Sequence, residues 1–328
     1  MTTKAVLFHE IGGPEVLTVE EIALPAPAPG EVRVRVEAVG VNRAEALFRS
    51  GGYYYAPTLP GSRLGYEAAG VVEEVGAGVE GYAPGDPVLA AANFDFGVHG
   101  VYAERVVLPQ EYLVRRPTGV DAVAGAAAWL AYSTAYGGMV EAGGLGPGDH
   151  VVITGASSGV GTAAIQTALR VGAIPIAATR GPDKRAALLA LGAPHVIATD
   201  ETDLVEETRR ITGGRGADLV FDPVGGPGFA RLGGALRPEG TAVLYGWLDP
   251  RPAELPMQWP LTVRGYANGA LVRTPEGRAR VAAFLGAGLR DGSLAPVIGA
   301  VFDGLASLPE AHRLMESNSH TGKIVVRV

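Results

Sequence analysis

Cysteine is absent from all 328 residues, which excludes disulfides and any metal site built on thiolates. Lysine is scarce, occurring only as Lys4, Lys184 and Lys323. Positive charge falls short of negative, 27 Lys+Arg against 34 Asp+Glu, a net −7. That balance argues against nucleic acid or an anionic membrane as the main partner. No apolar run approaches ~20 residues, the length a spanning helix needs. The opening MTTKAVLFHEIGG lacks a basic-then-apolar signal pattern, so a cytoplasmic location is expected. The six histidines show no ligand-like spacing, and no repeat or low-complexity tract is visible. What remains is a globular chain, 47% hydrophobic and 19% charged, long enough for two packed units.

The most informative stretch is residues 150–180, HVVITGASSGVGTAAIQTALRVGAIPIAATR. An apolar run, Val151–Ile153, meets the small residues Gly155, Ala156, Ser157, Ser158, Gly159 and Gly161. A helix-compatible segment follows to about Val171, then a second apolar run, Ile174–Ala178. This strand–turn–helix–strand order is the βαβ half of a dinucleotide-binding fold. Small residues let the backbone turn tightly and bring a pyrophosphate against the positive end of the helix. The motif is imperfect, because Ala156 and Ser158 stand at two glycine positions of G-x-G-x-x-G. The letters TGASSGVG also resemble the short-chain dehydrogenase fingerprint, which needs a Tyr-x-x-x-Lys pair. Position 180 is Arg and position 319 is Ser, so neither Lys184 nor Lys323 completes that pair.

Before this stretch the chain reads as strands. Residues 4–8, 16–23 and 31–39 alternate or run apolar, and Gly70–Val75, Asp86–Ala91 and Val101–Pro109 follow between Gly/Pro turns. Short strands so punctuated suggest a small barrel. From about 122 the pattern becomes βα alternation. Helices are expected at Ala122–Ala142, Asp183–Leu191, Leu204–Ile211, Phe229–Leu236 and Pro275–Gly288. Strands are expected at Val196–Ala198, Leu219–Asp222 and Thr241–Tyr245. Residues after about 295 turn strand-like again and end in GKIVVRV. The expected fold is α/β: a barrel-like substrate domain from 1–121 and 296–328, and a doubly wound Rossmann domain from 122–295.

Carried by VNRAEALFRSGGY (41–53), LGYEAAGVVEEVGAGV (64–79), PGDPV (84–88), GVYAERVVLP (100–109), ASSGVGTAAIQ (156–166) and LGAPHVI (191–197), the chain resembles the medium-chain dehydrogenase/reductase superfamily over nearly its whole length. It looks most like the zinc-free quinone oxidoreductase and zeta-crystallin branch. The resemblance implies a chaperonin-10-like barrel followed by the nucleotide-binding domain. Zinc alcohol dehydrogenases of the superfamily carry Cys where this chain has Asn42, and His where it reads Gly65-Tyr66-Glu67. No metal is therefore expected. Without a Lewis acid, an unactivated alcohol is a poor substrate. Reduction of a quinone or an α,β-unsaturated carbonyl needs only a hydrogen-bond donor at the acceptor oxygen, so a reductase is the expected activity.

The resemblance places Asn42 facing the cofactor ribose and the pocket, although Asn is also among the best helix N-caps. It places Tyr53 at an active-site tyrosine position, where a phenol would serve the developing enolate oxygen. Tyr53 opens the run Tyr53-Tyr54-Tyr55 and equally suits packing on the barrel. Tyr66 is a second donor or a plug in a vacant metal site, and Glu67 is read as structural. Arg43, Arg49 and Arg63 fall near the expected mouth, where they suit a basic rim for a carrier thioester, with ordinary surface arginines the default explanation.

Ser157, Ser158, Gly159 and Val160 form the expected phosphate turn. Thr134 matches a position near the nicotinamide. Tyr245, Gly246 and Trp247, with Asn268–Ala270, should flank its carboxamide by the switch-point rule. The second strand of the βαβ unit ends in Thr179-Arg180, with Lys184 one turn on, where an NAD enzyme usually has an acid. Those cations suit a 2′-phosphate, so NADPH is expected. Two departures weigh against it: Thr199 and Asn318 stand where the family carries a tyrosine and an arginine near that phosphate. An enoyl-thioester or biosynthetic enone reductase, or a non-catalytic NADPH-binding protein, would keep the same turn. Quinone reductases of this type pair sheet edges as homodimers, and Arg264–Val272 is the candidate edge strand.

Overall fold

The computed structural model describes all 328 residues. The chain divides into two compact units. The first holds Met1–Leu130, Val272–Ala282 and Ile298–Val328; the second holds Ala131–Leu271 and Ala283–Val297.

The first unit is built from antiparallel strands. The longest, Glu31–Val41, alternates buried and partly exposed residues before ending in a fully buried run. Val32, Val34, Val36 and Val39 enter the core, while Glu31, Arg33 and Arg35 leave it. Ala68–Val75 and Arg105–Pro109 both pair with this strand. The larger sheet continues through Pro87–Ala90 to Leu113–Arg115. The tail returns to it, as Lys323–Arg327 pairs antiparallel with the far end of Glu31–Val41, setting Ile324 opposite Val41. Ile298–Asp303 then pairs parallel to the tail strand. Thr2–Phe8, Thr18–Ala23 and Ser62–Arg63 make a second, smaller sheet.

One element of the tail was not expected. Leu308–Ser317 is a helix with Leu308, Ala311, His312 and Met315 buried at helical spacing. Pro309 stands in its first turn, and Asn318 closes it at φ 58°.

The second unit is a six-stranded parallel sheet. Its order is His195–Ala198, Ile174–Thr179, His150–Ile153, Ala217–Asp222, Leu236–Leu244 and Thr262–Gly265. The order reverses between His150–Ile153 and Ala217–Asp222, the switch point where such sheets take ligands. The three central strands, Ile174–Thr179, His150–Ile153 and Ala217–Asp222, are buried on both faces, hence their continuous apolar runs.

Three expectations need correction. Arg264–Val272 is not one strand: the edge strand is Thr262–Gly265, and Asn268–Val272 is helical. The helix expected over Phe229–Leu236 stops earlier, because Leu236 already opens the next strand. Ala122–Ala142 is α-helical only to Ala135, and Tyr136–Ala142 winds as a π-helix. There Gly137 and Gly138 lie against Tyr266 and Phe221, so closely that a Cβ at either would collide.

Candidate active site and cofactor site

In the second unit the strand His150–Ile153 runs into Gly155, held at φ +58° where side chains are strained. Ser158 caps the helix Gly159–Arg170, its Oγ accepting from the Gly161 N–H at 3.0 Å. A Cβ on Gly161 would collide with the Gly155 carbonyl, so only glycine permits this closeness of turn and helix. Lys184 reaches back to this turn, donating to Ser157 Oγ at 3.2 Å. Burial, and then the neighbouring Arg180, lower its pKa. Arg180 itself is exposed at the end of Ile174–Thr179. Three side chains expected at the cofactor phosphates are thus brought together: one hydroxyl and two cations that repel each other.

On the far side of the switch point Asp222 is buried, its carboxyl raised by burial despite the hydrogen bond donated by Thr154. It accepts from the N–H groups of Val224 and Gly225, which closes the turn after the strand. Tyr245 stacks on Phe221 at 4.0 Å, and its hydroxyl is buried with no partner. Gly246 lies against the Pro223 carbonyl, and Trp247 is exposed. Thr134 is buried in the long helix. Asn268 donates to Ser133 Oγ at 2.9 Å and accepts from Tyr266 at 3.1 Å. Asn268 and Ala270 therefore lie in a helical turn rather than an open loop after a strand.

The first unit holds an aromatic cluster. Tyr53 lies 4.2 Å from Tyr54, 4.9 Å from Tyr55 and 5.4 Å from Phe96 between ring centres. Phe96 also meets Phe48 at 4.7 Å and Tyr66 at 4.9 Å. Tyr54 is exposed, whereas Tyr53 is partly buried. Burial raises the Tyr53 phenol pKa, and a hydrogen bond to Tyr54 raises it further. Tyr66 is raised by burial and by its phenolic and carboxylate neighbours. Both phenols stay protonated at any physiological pH, as hydrogen-bond donors.

Behind these rings lies a buried polar network. Asn42 ends the strand Glu31–Val41 and caps Arg43–Arg49, with its backbone N–H donating to Glu45 Oε2 at 2.7 Å. Its amide is fully engaged. Nδ2 donates to the Gly40 carbonyl and to Glu67 Oε2, each at 3.2 Å, and Oδ1 accepts from Lys323. Lys323 Nζ is 2.5 Å from Glu67 Oε2, and Glu67 Oε1 accepts from the Leu130 N–H at 2.9 Å. Glu45 also accepts from the Tyr102 hydroxyl at 2.5 Å, and burial raises its carboxyl pKa to about 7. His312, lowered by burial to about 3, joins Tyr102 at 3.4 Å and Arg49 at 3.3 Å.

The structure corrects the reading of Arg49. Arg49 is buried and paired with Glu316 at 2.6 Å. Arg63 donates to the Gly100 carbonyl, and Arg43 to Met315 O and Asn318. Sequence reasoning missed Lys323, Glu45, Tyr102 and His312. For Lys323 the available signal was register, since pairing Ile324 with Val41 brings Lys323 beside Asn42.

Zinc does not fit the donor set around Asn42 and Tyr66. The ion favours thiolate and imidazole in a tetrahedron, whereas here an amide oxygen and a carboxylate already receive an ammonium group. No group of three or more His, Asp or Glu side chains is arranged to hold a metal. The phosphate turn does fit a dinucleotide, having both the glycine-only approach and converging donors.

Comparison with known proteins gives the family. Residues 28–118 match the alcohol dehydrogenase GroES-like domain, and residues 159–285 match the family described as zinc-binding dehydrogenase. A quinone oxidoreductase of Homo sapiens is 30% identical over 98% of this chain and 97% of its own. A 2-haloacrylate reductase of a Burkholderia species is 33% identical over 74% of this chain and 72% of its own. The structure of Escherichia coli quinone oxidoreductase complexed with NADPH superposes with a TM-score of 0.91 at 27% identity, covering 99% of this chain and all of that one. The chain belongs to the medium-chain dehydrogenase/reductase superfamily, in its quinone oxidoreductase branch.

Proposed function

We propose that the protein is an NADPH-dependent reductase that acts on a quinone or an α,β-unsaturated carbonyl without a metal. The observation that carries this reading is the Tyr53 phenol, kept protonated within a cluster of aromatic faces. Reduction of such an acceptor adds one hydride and one proton, and negative charge develops on the acceptor oxygen as the hydride arrives. A neutral phenol stabilises that charge by donating a hydrogen bond, as oxyanion-hole donors do. Its raised pKa makes Tyr53 a donor that keeps its proton, so the second hydrogen comes from water. Flat rings at Tyr53, Tyr55, Phe96 and Tyr66 suit a planar conjugated acceptor.

NADPH supplies the hydride when bound. Ser157, Ser158, Gly159 and Val160 would hold its pyrophosphate, and Arg180 and Lys184 its 2′-phosphate. Thr134, Tyr245, Gly246, Trp247, Asn268 and Ala270 stand at the nicotinamide end. The relative complexed with NADPH supports this cofactor. The relative named for haloacrylate supports an electron-poor alkene among the acceptors. A carrier-bound thioester is less favoured, because Arg43, Arg49 and Arg63, the cations that would form a basic rim, are spent on partners inside the unit.

Assembly follows from the edge strand. Thr262–Gly265 is exposed along its length, and Leu255, Met257 and Trp259 just before it are among the most exposed large apolar side chains. A symmetric partner would cover both, giving a homodimer. No helix is long and apolar enough to cross a membrane, and the reading places the protein in the cytoplasm. Stopped-flow oxidation of bound NADPH by quinones, enones and acyl thioesters tests the proposal. Quinones and enones should react and acyl thioesters should lag; binding of NADPH with no acceptor reduced would support a non-catalytic role.

A further inference from the structure

We infer that Lys323 is a positioning residue of the acceptor pocket, acting on Tyr66 through Glu67 and Asn42. The inference rests on the reductase reading for its kinetic consequence, and on the geometry of the first unit alone for the rest.

Lys323 is only 5% exposed and Glu67 not at all, yet the two meet at 2.5 Å. Such a pair persists in a core only when further hydrogen bonds satisfy both ions. Here they do. The ammonium also donates to Asn42 Oδ1, and the carboxylate accepts from Asn42 Nδ2 and from the Leu130 N–H. Three segments remote in sequence are tied at one point, and a fourth, the long helix, is fastened to it.

Tyr66 sits in the middle of this arrangement. Gly65 before it adopts φ +92°, and a Cβ there would strike the Tyr102 ring. The Tyr66 N–H donates to Glu45 Oε1 at 3.3 Å, while Glu45 Oε2 holds the Asn42 N–H. Glu67 after it is the partner of Lys323. The backbone carrying the Tyr66 ring is thus pinned on both sides and at the residue itself. The following anchor depends on one charge. Without the Lys323 ammonium, Glu67 keeps only the neutral donors Asn42 Nδ2 and the Leu130 N–H, and Asn42 Oδ1 loses its donor. Lys323 contacts no atom of an acceptor; its effect passes through Glu67 and Asn42.

Two variants separate this role from that of a simple counter-ion. Lys323→Met removes the ammonium and strands Glu67, whereas Lys323→Met with Glu67→Gln removes both charges. The single variant should lose melting temperature and acceptor turnover. The double variant should regain the melting temperature, with no buried ion left unpaired, while its kcat stays roughly tenfold or more below wild type and its NADPH affinity is unchanged. 3-Fluorotyrosine at position 66 gives a second reading that needs no turnover: its ¹⁹F resonance should shift in both variants. If wild type reduces no acceptor, the reductase reading fails, and the fluorine resonance alone decides the positioning role. A double variant with wild-type kcat and a wild-type resonance would overturn the inference, as would a single variant unchanged in both.

Discussion

Removing the cations beside Ser157 should separate NADPH from NADH, and the structure sets the order of the effects. Lys184 is held against the phosphate turn by its bond to Ser157 Oγ and is partly buried, so a charge-assisted bond from it is only partly screened. Such bonds contribute about 1.5–3 kcal/mol. Lys184→Ala should therefore raise the NADPH dissociation constant about 10- to 150-fold. Arg180 is exposed, so screening reduces its share to about 1 kcal/mol, or roughly fivefold. The pair should not be additive. The two cations repel each other in the free protein, and a 2′-phosphate between them relieves that repulsion. Affinity for NADH, which lacks the phosphate, should change less than about twofold in either variant. Fluorescence titration of both nucleotides at low and high salt is the assay, with NADPH binding the more salt-sensitive. Parallel weakening of NADH and NADPH would refute the argument, because the cations would then be supporting the turn rather than reading the phosphate.

Further outcomes follow from the same structure. Gly161→Ala should weaken NADPH binding by roughly tenfold or more, since the added methyl forces turn and helix apart at a cost of about 1–3 kcal/mol; calorimetric titration checks it. Glu45 has a folded pKa of about 7 against an unfolded value near 4.5, so the folded state binds the extra proton between them. Its contribution to stability therefore falls as pH rises from 4.5 to 7 and is level above. The difference in unfolding free energy between wild type and Glu45→Gln, followed by urea melts across pH, should show that fall; a flat difference would contradict it. Val263→Lys on the exposed edge strand should convert a dimer, twice the 33.7 kDa chain mass, into a monomer by light scattering. A wild-type monomer at micromolar concentration would rule that interface out.

How much of this was legible in the sequence depends on the range of the interaction. The βαβ unit was legible because its signals are local: apolar runs, a glycine turn and a serine cap within thirty residues. The helix Leu308–Ser317 was missed although Leu308, Ala311, His312 and Met315 share one face, because its ten residues lie between strand-like runs. Arg264–Val272 misled because Gly265 ends the strand. Asn268 then bonds to Ser133, and that partner lies 135 positions away. The network behind Tyr66 was the least legible. Lys323 and Asn42 are 281 residues apart, and only the antiparallel register of the tail strand joins them. Arg49 looked like a surface cation for the same reason, its partners His312 and Glu316 lying in the returning tail.

In the proposed reaction a neutral phenol at Tyr53 stabilises charge on the oxygen of an acceptor that takes hydride from NADPH. Pre-steady-state oxidation of NADPH by a simple enone and by a quinone, in wild type and in Tyr53→Phe, Tyr54→Phe and Tyr55→Phe, tests it most directly. Loss of one such donor costs about 2.7–4 kcal/mol at the transition state, or roughly 10²–10³ in rate. Tyr53→Phe should show that loss on the enone, a smaller one on the quinone, and unchanged NADPH affinity. Tyr55→Phe should stay near wild type, and Tyr54→Phe should show at most a minor change through its hydrogen bond to Tyr53. A Tyr53→Phe variant that reduces the enone at the wild-type rate would contradict the account.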